Sequence, residues 1–367
     1  MTNFVKYIFF LLILQLKIKT NRLMNRIYIL ITVCLLFLSC GSAQSDNKKE
    51  IKASDIIKLL GKGKDIQLHE MIVVGDLDFT TVHDGFMSSL TTIQTPVAQN
   101  IFFIDCVFMG NVTTCGSYLK LSKNVWFEKN VSFVACDFRK ELNFSNSTIM
   151  GQVSFARSVF RENAKLENMT VHGKLNSFWE MEAEKTFSMA QSDFRGDVNF
   201  MDSKFNGDAS FQYLRAFSLQ FNNVKCSDRL DLANMTISDN AFFNYLKCQK
   251  YATFSFSKIY GNADFMQGNY DGVADYTGLT VLGKARFNDS QYKDSVAFVD
   301  TMFIKPSEQN RVKTKEQFHA EAEALKNAAE NLSGSKKEEG GEVPVKTNAE
   351  GVKESVNNQN VENKSNN

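Results

Sequence analysis

Histidine is scarce in this chain of 367 residues, and His69, His83, His172 and His319 are too scattered to pair as zinc ligands. Net charge is nearly absent: 42 basic and 41 acidic residues leave +1. That balance excludes a strongly basic phosphate-binding surface and a strongly acidic mimic of nucleic acid, so no nucleic-acid partner is expected. Long hydrophobic runs are missing too, since Val5 to Leu16 and Ile27 to Leu38 each stop after about a dozen residues, short of the roughly 20 a spanning helix needs. No threonine column suggests a flat ice-binding face, and no catalytic constellation is visible. Proline occurs three times against 32 phenylalanines, which directs attention to where the phenylalanines sit.

They sit on a lattice. From Leu232 the large apolar residues run Ile237, Phe243, Cys248, Phe254, Ile259, Phe265, Tyr270, Tyr276, Val281, Phe287, Tyr292, Phe298 and Phe303, with gaps alternating five and six. Most have a small or aliphatic companion two positions earlier, as Val198 precedes Phe200, Ala209 precedes Phe211 and Ala285 precedes Phe287. The residues between are mostly Asp, Asn, Ser, Lys and Gln. One buried and one hydrated face at a period of two describe a short strand, and short repeats of such strands stack into a solenoid. Four sides of alternating length return the chain above its start after 22 residues, so Phe243, Phe265 and Phe287 predict one column of rings and Phe254, Tyr276 and Phe298 another. Phe200, Phe205, Phe211, Phe243, Phe265, Phe287 and Phe298 are therefore expected in the core lattice. Glycines such as Gly110, Gly196, Gly207 and Gly272 mark the six-residue gaps, where a corner of positive φ is expected.

The lattice opens at Leu68, Val73 and Phe79, is lost from Thr80 to Asn100, and falters near Cys115. Residues 80–100 are expected to be a loop thrown out from the wall, the kind of excursion that carries binding determinants. One residue too many is expected around Phe178 and Trp179, and one too few between Phe211 and Phe221.

The unit Val198-Asn199-Phe200-Met201-Asp202-Ser203-Lys204-Phe205-Asn206-Gly207-Asp208-Ala209-Ser210-Phe211 resembles the pentapeptide-repeat family in its phenylalanine-rich variant, where alternate repeats carry one added residue. The resemblance covers about Ile66 to Phe303. It implies an all-β fold, a right-handed quadrilateral parallel β-helix with each lattice residue and its companion facing inward. The best-known members imitate DNA and inhibit a topoisomerase, but that role needs an acidic face and a cytoplasmic address, and this chain suggests neither.

The first fifty residues read as an address. Asn25-Arg26, the apolar run that follows and a small residue before a cysteine describe a secretion signal. Phe37-Leu38-Ser39-Cys40 resembles a bacterial lipobox, although Phe37 and Leu38 depart from the usual residues, and the resemblance implies lipidation at Cys40. Cleavage after Ala43 is the alternative. Residues 1–39 are then the signal region, with residues 1–23 either upstream of a start at Met24 or an extra membrane segment, and residues 40–50 are a lipidated tether. Gly41 after the cysteine favours the outer membrane of a Gram-negative-type cell, on its periplasmic or surface face.

Residues 51–303 are expected to hold the β-helix with a short helix, Ser54 to Leu60, capping its first rung behind a serine cap. Residues 304–332 include an amphipathic helix that either caps the last rung or forms a homodimer, and residues 333–367 are expected to be disordered. Of the remaining cysteines, Cys106, Cys136, Cys226 and Cys248 read as small buried groups, with a Cys226–Cys248 bridge conceivable and Cys115 unexplained. Outward aromatics mark a possible binding surface: Trp126 and Phe242 one before lattice residues, Tyr245 and Phe256 two after, and Phe178 and Trp179 at the extra residue. No metal or cofactor is expected. The functional expectation is a lipid-anchored envelope interaction or scaffold module, without catalysis, presenting its rod to an envelope protein or glycan. A purely structural spacer is the alternative, and a carbohydrate-active β-helix enzyme a more distant one, since its paired acids would need a cleft.

Overall fold

The computed structural model describes residues 48–305 together with Ser307, Ala320 and Glu323. The expected signal, Cys40, most of the tether, nearly all of the C-terminal helix and the tail lie outside these residues. Among the described residues, no helix is long and apolar enough to cross a membrane.

Strands of two to four residues place a lattice residue and its companion inward, then the chain turns a corner. Repetition yields four walls, each a parallel sheet of 10 to 12 strands apart from the hairpins described below. The chain is thus a parallel β-solenoid of about 12 turns with very little helix. In order of a turn, the first wall begins with Ile66–His69, the second has Met71–Val74, the third Leu77–Asp78 and the fourth Thr92–Val97. Each backbone bonds to the turns before and after it. Ile237, for example, pairs with Ile259 and Ile259 with Val281, a regular advance of 22 residues.

The interior is a set of ring columns. Phe103, Phe133, Phe155, Phe178, Phe200, Phe221, Phe243, Phe265 and Phe287 occupy nine successive turns of the first wall and are all buried. Ring centroids lie 4.9 Å apart between Phe243 and Phe265 and 4.8 Å between Phe265 and Phe287, both stacked. The third wall repeats this with Phe254, Tyr276 and Phe298 at 4.9 Å spacings. The strand spacing of about 4.8 Å imposes that separation, which is also favourable for offset stacking. Phe205 and Phe211 are buried as well, whereas Phe298 is only half-buried. Where the companion is serine, its hydroxyl is satisfied inside: Ser203 Oγ donates to the Phe178 carbonyl at 2.8 Å and accepts from Met181 N–H at 3.3 Å. Ser158 and Ser257 do the same in other turns of their walls.

The corners differ from the sequence reading. Of the glycines at six-residue gaps, only Gly75 has positive φ, at 89°. The others are needed for close approach: a Cβ on Gly196 would lie 2.3 Å from the Lys174 carbonyl oxygen, and one on Gly272 1.6 Å from that of Lys250. The left-handed backbone occurs instead at five-residue corners, on residues with side chains, including Asp105, Asn146, Tyr245 and Phe256 at φ 52°, 59°, 60° and 55°. Asn and Asp tolerate that region best, and elsewhere it costs about 1–2 kcal/mol, which the surrounding ladder offsets.

Register locates the irregularities. Thr148 pairs with Thr170, 22 on, but Ser154 pairs with Ser177, 23 on, so the extra residue lies between Val171 and Leu175. This is earlier than expected, and it leaves Phe178 on the lattice. Asn176 fills the companion slot there, its amide bonding the Gly173 and Asp197 carbonyls at 3.0 and 3.1 Å. The missing residue falls at the same kind of corner, near Phe217, where Val198 pairs with Leu219, 21 on.

At the N-terminal end, Lys49–Lys52 pairs with Met71–Val74 and leads into a helix, Ala53–Gly61, that buries Ala53, Ile56 and Leu60. Ser54 is inside this helix rather than its cap, because Lys52, still extended at the end of its strand, occupies the capping position and makes no side-chain cap bond.

Candidate interaction surface

The expected loop at residues 80–100 is a hairpin. Ile66 pairs with Ile101, 35 on, and Ile101 with Val131, 30 on, so the first two full turns carry 13 and 8 residues beyond the regular 22. Both insertions leave the corner between the third and fourth walls, one above the other. In the first, Phe86–Met87 pairs antiparallel with Thr92–Val97; in the second, Cys115–Tyr118 pairs antiparallel with Leu121–Phe127. The two long strands run parallel, Ser122 beside Thr92 through Phe127 beside Val97, which joins the hairpins into a four-stranded fin.

Not all of residues 80–100 is excursion, contrary to the sequence reading. Thr95 and Val97 are buried in the inward positions of the fourth wall, and the Asn100 carbonyl accepts from Ile66 N–H at 2.9 Å. The fin also accounts for the faltering lattice near Cys115, the first residue of its outer strand; partial burial pushes that thiol's pKa up. Leu119 and Lys120 form the second tip, both left-handed at φ 49° and 68°, as a two-residue hairpin turn requires.

The fin exposes large apolar groups to solvent, set among small polar ones such as Ser88, Ser89 and Ser117. Leu90 is 94% exposed at one tip and Leu119 79% at the other, with Phe86, Met87 and Tyr118 each about half exposed beside them. From Gly85 to Val97 and from Cys115 to Phe127 the only charged side chains are Lys120 and Lys123. Lys123 Nζ donates to the His83 carbonyl at 3.3 Å.

The aromatics singled out from sequence do not form one patch. Phe178 is fully buried, stacked on Phe200 at 4.8 Å, and is removed from the surface because the extra residue precedes it. Trp179 and Phe242 are half-buried on the body, Phe242 between Gln220 and Asp264. Trp126 is half-buried at the root of the fin between Pro96 and Thr148, its indole N–H without a hydrogen-bond partner. Tyr245 and Phe256 are exposed at left-handed corners on different edges, and Phe256 lies against Gly278 of the next turn.

A concavity of about 420 Å³ lies on the third wall over Ser188 and Ser210 and is edged by Asp208, Arg229 and Asp231. Asp231 is buried, accepting from Gln212 Nε2 at 2.6 Å and from Arg229 at 2.8 Å. On the first wall Asp264 is buried beneath Arg286, whose Nε donates to it at 2.6 Å. These carboxylates are held by neighbouring cations and amides. Other ion pairs climb from one turn to the next, as in Lys165–Glu141 at 2.9 Å and Lys250–Asp228 at 2.7 Å, and pairing with Glu141 raises the Lys165 pKa. Among the described residues no three His, Cys, Asp or Glu side chains are arranged to hold a metal.

No family model, curated protein or solved structure matches the chain. The fold itself defines the class: a parallel β-solenoid of about 12 turns, the arrangement of pentapeptide-repeat proteins.

Proposed function

We propose that this protein is a lipid-anchored interaction module of a Gram-negative-type cell envelope. In this reading the solenoid is the right-handed quadrilateral β-helix of the pentapeptide-repeat family, closed by the helix Ala53–Gly61 at one end and by a helix within residues 304–332 at the other. Cys40 carries the lipid, residues 41–50 tether the rod to the outer membrane, and the fin is its contact element. The observation that carries the proposal is the placing of both insertions on one corner of successive turns with five large apolar side chains exposed. A regular solenoid has no need of either hairpin for its core, and exposed apolar groups concentrated on one feature mark a contact site.

The test is a crosslinking pull-down from envelopes. Excising residues 82–94 and 117–124 removes the fin yet restores the regular turn, joining Thr81 to Thr95 and Gly116 to Val125. Envelope partners captured by the intact chain are expected to disappear with the excision. Capture that survives would move the site to the walls, and no capture by either chain would rule out a protein partner and leave either a contact with lipid or the spacer, which the regular advance of the remaining turns supports.

A further inference from the structure

Resting on the reading of the fin as the contact element, we infer that what it contacts is the lipid bilayer itself, its tips seated in the headgroup region beside anionic lipid. Three observations support this. The exposed large hydrophobic side chains at the tips are Leu90 and Leu119, with Phe86, Met87 and Tyr118 behind them and Ser88, Ser89, Thr91 and Ser117 between, a mixture of apolar, aromatic and small polar groups that suits a membrane interface. The only charges on the fin strands and tips are Lys120 and Lys123, with Asp84 set back at the root two residues before Phe86, so the tips offer anionic headgroups cations and no repelling carboxylate. The third concerns position. Phe86–Met87 and Lys49–Lys52 are the terminal strands of their sheets at the same end of the solenoid, and residues 1–47, with the two apolar runs of the sequence, precede Lys48 there.

The geometry suits shallow seating rather than crossing. The two tips lie side by side because Thr92 and Ser122 are in register, so they enter together. Most backbone polar groups of the fin strands are engaged with neighbouring strands, which lowers the cost of taking the tips out of water. A tether of a few residues and a fin at the same end would hold the rod at two points and restrict how it swings over the surface.

The experiment uses the full chain reconstituted in vesicles of phosphatidylethanolamine and phosphatidylglycerol. Leu90→Cys, Leu119→Cys and, on the corner between the first and second walls, Asn223→Cys are each labelled with an environment-sensitive fluorophore; the parent chain labelled in parallel supplies the background from native thiols. Labels at 90 and 119 are expected to shift to the blue, to lose quenching by aqueous iodide and to be quenched by nitroxide-bearing lipid, while the label at 223 stays open to iodide. Tips as accessible to iodide as position 223 in vesicles, yet shielded in native envelopes, would overturn the lipid inference and leave the fin as a contact for another envelope component. Tips accessible in both would overturn the contact reading as well.

Discussion

At the scale of single residues, the stacking distance governs what each position tolerates. Gly272 has no room for a methyl group, because the Lys250 carbonyl of the preceding turn would lie 1.6 Å from it. Relieving that contact means separating two turns whose backbones are hydrogen-bonded, and Gly272→Ala is expected to cost about 3 kcal/mol, within the range for a strained or overpacked site. Gly116, with nothing within 4 Å of its Cβ position, is the control, and its alanine variant should unfold in urea within about 0.5 kcal/mol of the parent. Tyr270 presents the opposite situation. Its ring stacks on Tyr292 at 5.1 Å, but its buried hydroxyl makes no well-formed hydrogen bond and has beside it only the Tyr276 hydroxyl, which already accepts from Tyr292 at 3.3 Å. Tyr270→Phe keeps the ring and removes a poorly paired buried group, so a gain of up to about 1 kcal/mol is expected from the same urea titration. A loss of that size would mean the hydroxyl has a partner in solution.

At the scale of elements, the walls and the fin differ in what they depend on. Away from the fin a wall strand is only two to four residues long and draws its stability from the turns above and below, as in other repeat proteins. Removing one ring therefore disturbs three turns: Phe200→Ala, between Phe178 and Phe221, is expected to cost about 4 kcal/mol and to lower the thermal midpoint. The fin depends on its parent wall, but the reverse does not hold. Excision of 82–94 and 117–124 should leave the far-ultraviolet circular dichroism and the cooperativity of unfolding essentially unchanged, because Thr95, Val97, Val125 and Phe127 keep the inward positions and Val82 is the one buried side chain lost. Deleting the whole of 80–100 would remove a wall strand and is expected to disrupt the first turn.

At the scale of the whole molecule, an interior this apolar resists alkaline ionisation. Burial pushes the pKa of Cys226 well above its ordinary 9.0 and those of Tyr270 and Tyr276 well above 10.0. In the unfolded chain these groups lose their protons first, so the stability linked to them is whole below about pH 9 and declines as pH rises beyond it. Thermal midpoints measured from pH 8 to pH 11 should fall over the upper part of that range, and less steeply in Tyr270→Phe. A flat profile would show that these side chains are hydrated in the folded protein.

The ring columns were legible from sequence because a period of five and six is local: a strand, a corner and the next strand lie within a dozen residues. Phe200, Phe243 and Phe265 could be assigned to the core on spacing alone, and the all-β solenoid follows from them. The fin was not legible as such. Its two hairpins are 30 residues apart and become one feature only when successive turns stack Phe127 on Val97. Nor could spacing show why the corner glycines are there, since the need arises from a carbonyl of the turn beneath, or that Asp264 and Asp231 would be covered by arginine and amide groups. Sequence by itself determined the repeating strand and its buried face, because alternation and corner length are properties of neighbouring residues. Tertiary structure alone decided which distant residues share a corner, because that depends on how many residues each earlier turn has used.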